Sequence, residues 1–503
     1  MKKRQLIRNA SLGSVQVIAT GLVFFVLYRF LYDTIGVAEL GVWSVVLSWT
    51  SMSSLAGLGM TGSAVKFVST YLARNDRRHV AGIIETLAIS LMVVLAGALV
   101  IVYPLLVWMT GVVFTPEMRV VGISILPYAA ASFWISAVAG LFGSCVDGFH
   151  RVDVRHIMII AAMLLYLLLS FVLVPMNGIV GLAQAQVVQG SVLLVASWLY
   201  VRRLLPELGI IPTHWQKSIF KEIIDYSLKL QLISIAQLLF EPLAKSLLAR
   251  FGGAASAGFF EMANRMVMQL RALIVSAYQA VVPTIADLHE RDQHQVRNVY
   301  EGSLRLVHYL VVCAIPLLLL VVPLISLLWL GEVHSTFVMF TSVLVVAWFV
   351  NILATPSYFA NMGTGDLWWN VIAQGTQGGV TAILGITLGM AFGGAGVVIA
   401  FFLAIVLAAA TVTLSYHHKA GVSLAIFAER RNLRLLGSSV LGFAFSLLFI
   451  RFVAGTWHVA TYTAVALAVF IAVAGPVAWQ HPMRKKLFDL VMIGLLPARH
   501  RSV

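Results

Sequence analysis

Gly36-Val37-Ala38-Glu39-Leu40-Gly41 and, 217 residues further on, Gly253-Ala254-Ala255-Ser256-Ala257-Gly258 each join two apolar runs. The same offset, without gaps, lays Leu22 on Leu239, Leu31 on Leu248 and Arg74 on Arg291. Matching positions fall on matching runs, so the chain carries an internal repeat. Each copy spans six apolar segments, an even number, so both copies start on the same side and the repeat is parallel.

Those runs belong to a chain of 503 residues that is 60% hydrophobic and 11% charged, with a mean hydropathy of +0.94. Soluble domains carry about 25% charged residues. The composition excludes a soluble enzyme, a disordered scaffold and a nucleic-acid binder, and it predicts an all-α integral membrane protein. Hydropathy places about fourteen spans, at 12–32, 41–73, 80–110, 120–146, 156–174, 179–201, 223–250, 258–285, 303–330, 337–360, 369–390, 395–416, 435–453 and 459–479. The expected architecture is two six-helix lobes in parallel pseudo-repeat around a central cavity, followed by two further helices. The corresponding divisions are 1–201, a linker at 202–222, 223–416, and 417–503 with its tail.

The formal net charge of +14 is explained by topology. One set of loops holds 25 Lys and Arg residues, among them Lys2, Arg77, Arg155, Arg203, Arg291, Arg430 and Lys485; the other holds Arg119, Arg250 and Arg451. The positive-inside rule makes the first set cytoplasmic, with both termini on that side. The basic start Met1-Lys2-Lys3-Arg4 runs into an apolar segment with no cleavage signal, which predicts an uncleaved first helix. Cys145 and Cys313 lie in apolar runs and suggest neither a disulfide framework nor a metal site.

Catalytic signatures are missing. Gly57-Leu58-Gly59-Met60-Thr61-Gly62 fits G-x-G-x-x-G literally, but an apolar helix precedes it and Lys66 and Phe67 follow, so the dinucleotide context fails. The glycines Gly57, Gly59 and Gly62 instead predict a hinge in the second span. No Gly-Lys dipeptide, H-E-x-x-H or G-x-S-x-G occurs. In the eleventh span, Gly375, Gly379, Gly385, Gly389 and Gly393 predict close helix packing.

Ionisable residues inside spans carry the functional signal. Arg29, Lys66, Lys229, Lys245, Arg265 and Arg271, with Glu241 and Glu261, all lie on spans one, two, seven and eight. Leaving Lys245, Arg265 and Arg271 against lipid would cost roughly 8–10 kcal/mol, which rivals the ~5–15 kcal/mol of a whole fold. They must face partners or water. Ser234, Gln237, Glu241 and Lys245 share one helix face, and Glu261, Arg265, Gln269, Ser276 and Gln279 form a second polar stripe. Asn264 and Arg271 lie on a neighbouring track. The bland alternative is that Glu241–Lys245 and Glu261–Arg265 are neutralising i,i+4 pairs, that Arg29 pairs with Asp33, and that Lys66 and Lys229 snorkel. Even so, Arg271 and an excess of positive charge are left over, and an anion is the natural guest. Parallel repeats around a midplane site are a transporter design.

Ala257-Gly258-Phe259-Phe260-Glu261-Met262-Ala263-Asn264-Arg265-Met266 and Leu58-Gly59-Met60-Thr61-Gly62-Ser63-Ala64-Val65-Lys66-Phe67 resemble spans eight and two of the polysaccharide-flippase branch of the multidrug/oligosaccharidyl-lipid/polysaccharide (MOP) exporter superfamily. The resemblance covers nearly the whole chain. It implies a non-enzymatic transporter of the inner membrane, without cofactor, that flips an undecaprenyl-diphosphate-linked oligosaccharide to the periplasmic leaflet. It puts Arg29, Lys66 and Arg265 at the diphosphate, to which the spacing argument adds Lys245 and Arg271. Gln237, Glu241, Glu261, Asn264 and Gln269 are then cavity or ion-coupling residues. Membrane lipids are expected partners, and polysaccharide polymerase and export proteins are candidates. Two other transport readings share the fold: a cation-coupled multidrug exporter, which needs buried first-lobe carboxylates, and a lipid-linked peptidoglycan-precursor flippase. A membrane enzyme of glycan assembly is a third class, opposed by the short loops and the missing acid–base clusters.

Overall fold

Apolar runs of this length have one way to satisfy their backbone in lipid, which is to form helices. The computed structural model describes residues 3–52, 59–279, 285, 288, 291, 293–453, 457–485 and 487, and no strand occurs among them. The helices are α1 (Lys3–Thr34), α2 (Gly36–Met52), α3 (Met60–Ala73), α4 (Arg77–Val113), α5 (Pro116–Gly148), α6 (Val152–Leu204) and α7 (Lys217–Gln279). They continue with α8 (Gln293–Leu330), α9 (Ser335–Leu353), α10 (Thr355–Thr364), α11 (Trp368–Ala420), α12 (Arg430–Val453) and α13 (Val459–Gln480). Among the described residues, nine helices are long and apolar enough to cross a membrane. Every expected span falls on helix wherever the chain is described, apart from breaks at Gly59 and Ala354.

Three of these helices are hairpins. At Gly178 the backbone takes φ 58°, ψ −141°, and at Gly393 φ 61°, ψ −144°, a region closed to side-chain-bearing residues. A Cβ on Gly181 would stand 2.0 Å from the Leu173 carbonyl oxygen, and one on Gly396 the same 2.0 Å from that of Leu388. Each chain therefore folds straight back on itself. Gly253 (φ 80°) does the same within α7, and Gly36 (φ 78°) separates α1 from α2. The repeated turns thus recur as structure. The break between α9 and α10 has a different cause: Pro356 lacks an N–H and cannot continue the hydrogen bonding of α9, so it sits instead in the first turn of α10.

The chain forms two compact units, Met1–Met262 with Ala382–Val397, and Ala263–Thr381 with Val398–Val503. In the first, Ala64 and Val68 of α3, Ile84 and Leu87 of α4, Leu141 of α5, Val201 of α6 and Ile223 of α7 share one core. In the second, α8 is the spine. Its Tyr300 and Leu304 pack with Ala360 and Tyr416, its Tyr309 and Val312 with Leu435 and Met483, and its Leu320 with Ala466 and Phe470. Ser446 Oγ donates to the Ala466 carbonyl at 2.7 Å and ties α12 to α13. Large side chains such as Ile101, Met176, Ile383 and Phe392 stay exposed, an apolar coat that lipid covers.

The glycines of span eleven divide in two. Those at 385 and 389 do pack closely, with Leu247 Cδ1 at 2.7 Å and Phe251 Cδ2 at 2.6 Å from a Cβ built on them. At Gly375 and Gly379 no described atom comes within 4 Å.

Candidate functional site

Two clusters of polar side chains sit within apolar helices, one in each unit. In the first unit, Lys245 Nζ lies 2.8 Å from Glu241 Oε1 and 2.7 Å from Glu261 Oε2. Lys245 and Glu261 are buried and Glu241 is half-exposed. The Tyr28 hydroxyl donates to Glu261 Oε1 at 2.8 Å, and Ser44 Oγ donates to Oε2 at 3.0 Å. Close by in sequence, Trp49 Nε1 donates to Ser246 Oγ at 2.7 Å. The i,i+4 pairing of Glu241 with Lys245 therefore forms, and Lys245 is shared with a second carboxylate. Charge-assisted bonds of this kind compensate desolvation only when the geometry is complete.

Elsewhere in the same unit, Arg29 Nε pairs with Asp33 Oδ2 at 2.8 Å, and Lys66 Nζ lies 5.5 Å from the centre of the Phe67 ring. Glu85, at the start of α4, is buried. Its Oε2 accepts from the His214 backbone N–H at 2.8 Å, while Gln216 N donates to Thr86 Oγ1 and Trp215 Nε1 to Ser90 Oγ. That carboxylate pins the linker to α4.

The second cluster gathers on α7 and α9. The Arg271 guanidinium lies 5.0 Å from the centre of the Trp348 ring, and its Nη2 donates to Asn351 Oδ1 at 3.0 Å. Trp348 is fixed in turn, because its Nε1 donates to buried Asn264 Oδ1 at 2.9 Å and its edge meets Phe401. Arg271 Nε is buried without a hydrogen-bond partner, and among the described residues Arg271 pairs with no carboxylate. The cation–π contact with the indole and the hydrogen bond to Asn351 together position the guanidinium. A guanidinium oriented by neutral groups, with N–H donors left over, is suited to an oxyanion.

Arg265 and Gln269 are half-buried on α7. Gly59 takes φ 67° at the start of α3, and Gly62 is exposed within α3. Gly57 lies outside the described residues, as do the side chains of Gln237 and Lys229. Sequence reasoning missed Tyr28, Ser44, Trp348 and Asn351. The repeat offset could have found the first two, since it lays Tyr28 on Lys245 and Ser44 on Glu261. Among the described residues no three or more His, Cys, Asp or Glu side chains gather as a metal site.

The family model described as "Polysaccharide biosynthesis protein" matches residues 6–289. No curated protein sequence matches the chain. Among solved structures, the chain is similar to the lipid II flippase MurJ in an inward closed conformation, with a TM-score of 0.70, 12% identity, and coverage of 95% of this chain and 99% of that one. It is also similar to an inward-facing multidrug resistance MATE transporter of the MOP superfamily, at TM-score 0.65, 17% identity, and coverage of 83% and 99%. A Vibrio cholerae MATE transporter gives a TM-score of 0.57 at 14% identity, over 84% and 99%. At such identities the likeness is one of fold.

Proposed function

The chain belongs to the polysaccharide biosynthesis protein family, and from that premise we propose that it is a flippase for a lipid-linked oligosaccharide. Its cargo in this reading is an undecaprenyl-diphosphate-linked glycan, moved from the cytoplasmic to the periplasmic leaflet of the inner membrane for surface or exopolysaccharide assembly. Alternating access of two lobes moves it. Arg29, Lys66, Arg265 and Arg271 hold the diphosphate, with Lys245 contributing from between its two carboxylates. Gln237, Asn264 and Gln269 supply neutral donors and acceptors, Glu241 and Glu261 balance charge, and Gly57, Gly59 and Gly62 bend span two.

The observation that carries this reading is Arg271. Burying a cation without a carboxylate is costly, and this one is oriented by Trp348 and Asn351 with Nε left unbonded. An organic-cation exporter would want the opposite sign, and of the buried first-half carboxylates Glu85 is occupied by the linker and Asp153 pairs with Arg151.

Deletion of the gene followed by analysis of the lipid-linked sugars tests this. The expected result is a complete polyprenyl-diphosphate oligosaccharide stranded on the cytoplasmic leaflet. A stranded muropeptide would assign the protein to peptidoglycan precursors instead. Unchanged lipid-linked sugars together with heightened sensitivity to organic cations would replace the proposal with drug export.

A further inference from the structure

Four members of the Glu261 cluster are two repeat-equivalent pairs: Tyr28 with Lys245, and Ser44 with Glu261, each 217 residues apart. The helices that carry them cross reciprocally. A Cβ on Gly41 would stand 1.8 Å from the Ala254 carbonyl oxygen, and one on Gly258 would stand 2.1 Å from that of Val37. Val37 and Ala254 are themselves equivalents, so the two repeats meet here about a local two-fold, backbone against backbone.

The side chains do not share that symmetry. Both ionic members, Lys245 and Glu261, belong to the second repeat, and they face each other at 2.7 Å. The first repeat sends neutral donors: the Tyr28 hydroxyl at 2.8 Å, Ser44 Oγ at 3.0 Å, and Trp49 Nε1 to Ser246 at 2.7 Å.

We propose that this cluster is a releasable latch between the repeats, with the ion pair kept whole on one side and neutral donors on the other. Splitting a buried ion pair leaves an uncompensated charge. Withdrawing a hydroxyl from a carboxylate leaves both groups free to bond to incoming water. With the pair confined to the second repeat, spans one and two can part from spans seven and eight without separating opposite charges. The bare glycine crossing lets the same surfaces close again at van der Waals contact. The role rests on the alternating access proposed above, but it is measurable without any substrate.

The test is thiol accessibility in nanodiscs, where both faces are open to reagent. Val45, fully buried beside Ser44, is replaced by cysteine in a Cys145→Ala/Cys313→Ala background and labelled with a membrane-impermeant maleimide. Tyr28→Phe/Ser44→Ala should label about tenfold faster than the parent, as expected for loss of charge-assisted hydrogen bonds. The exchange Tyr28→Lys/Lys245→Tyr moves the cation to the first repeat, so the ion pair now crosses the joint, and labelling should fall below the parent rate. Tyr28→Phe alone removes one oxygen atom and should give an intermediate rate, which keeps the comparison usable if the exchange variant does not accumulate. Equal labelling of parent, Tyr28→Phe and the double variant would overturn the latch. If export by the parent remained intact, that result would leave the transport proposal standing.

Discussion

The ammonium of Lys245 is matched at 2.7 Å and 2.8 Å by two carboxylates, whereas Arg271 is held by an indole and an amide. Their substitutions should therefore fail differently. Lys245→Met removes a cation from beside buried Glu261 and should destabilise the protein by about 3–5 kcal/mol, read as a lower melting temperature in detergent. Lys245→Met/Glu261→Leu removes both buried charges and should recover much of that loss. A double variant no more stable than Lys245→Met would show that the pair is not the unit. Arg271→Lys keeps the charge but loses the guanidinium's contact with Trp348 and the N–H fork. Export should fall by about tenfold or more, the effect of one strong hydrogen bond, with protein abundance unchanged; normal export would take Arg271 out of the site. The sequence could show that Glu241, Lys245 and Glu261 need partners, because charges in apolar spans are costly. Hydropathy and charge did not single out Tyr28 or Ser44, since one hydroxyl in an apolar helix can bond to its own backbone, as Ser170 does to the Tyr166 carbonyl; only the repeat offset pointed to them.

At the scale of elements, glycine decides where helices turn and where they touch. Gly41→Ala drives a methyl group into the Ala254 carbonyl, 1.8 Å away, and should lower both melting temperature and yield. Gly379→Ala meets no described atom within 4 Å and should be neutral or slightly stabilising, since alanine is the better helix former. Equal effects at the two sites would contradict the crossing described above. Gly59 takes φ 67°, where alanine costs roughly 1–2 kcal/mol. Gly59→Ala should therefore slow transport while membrane insertion, followed by membrane abundance, stays intact. The span boundaries and the recurring turns at Gly36 and Gly253 were legible from hydropathy and the repeat offset. The neighbours that Gly385 and Gly389 meet were not. Small-residue spacing marks where a neighbour can approach, and only the fold supplies Leu247 and Phe251.

For the whole molecule, the asymmetry of loop cations predicts cytoplasmic termini. A reporter joined after Val503 should be active in its cytoplasmic form, and a periplasmic signal would reverse the topology. The all-α class was readable from composition, and the two C-terminal helices from hydropathy, because lipid leaves the backbone few alternatives. The arrangement of the cations was not, since pairing depends on contacts between residues far apart in sequence, such as Tyr28 with Glu261. The central claim is movement of a lipid diphosphate glycan, and reconstitution addresses it most directly. Purified protein in liposomes carrying undecaprenyl-diphosphate oligosaccharide is challenged with a membrane-impermeant glycosidase, which reads the fraction of glycan in the outer leaflet. The account predicts transfer between leaflets by the wild type, strong loss with Arg271→Gln, and loss with Arg265→Lys. Protein-independent leaflet distribution, alongside protein-dependent export of an organic cation, would contradict it.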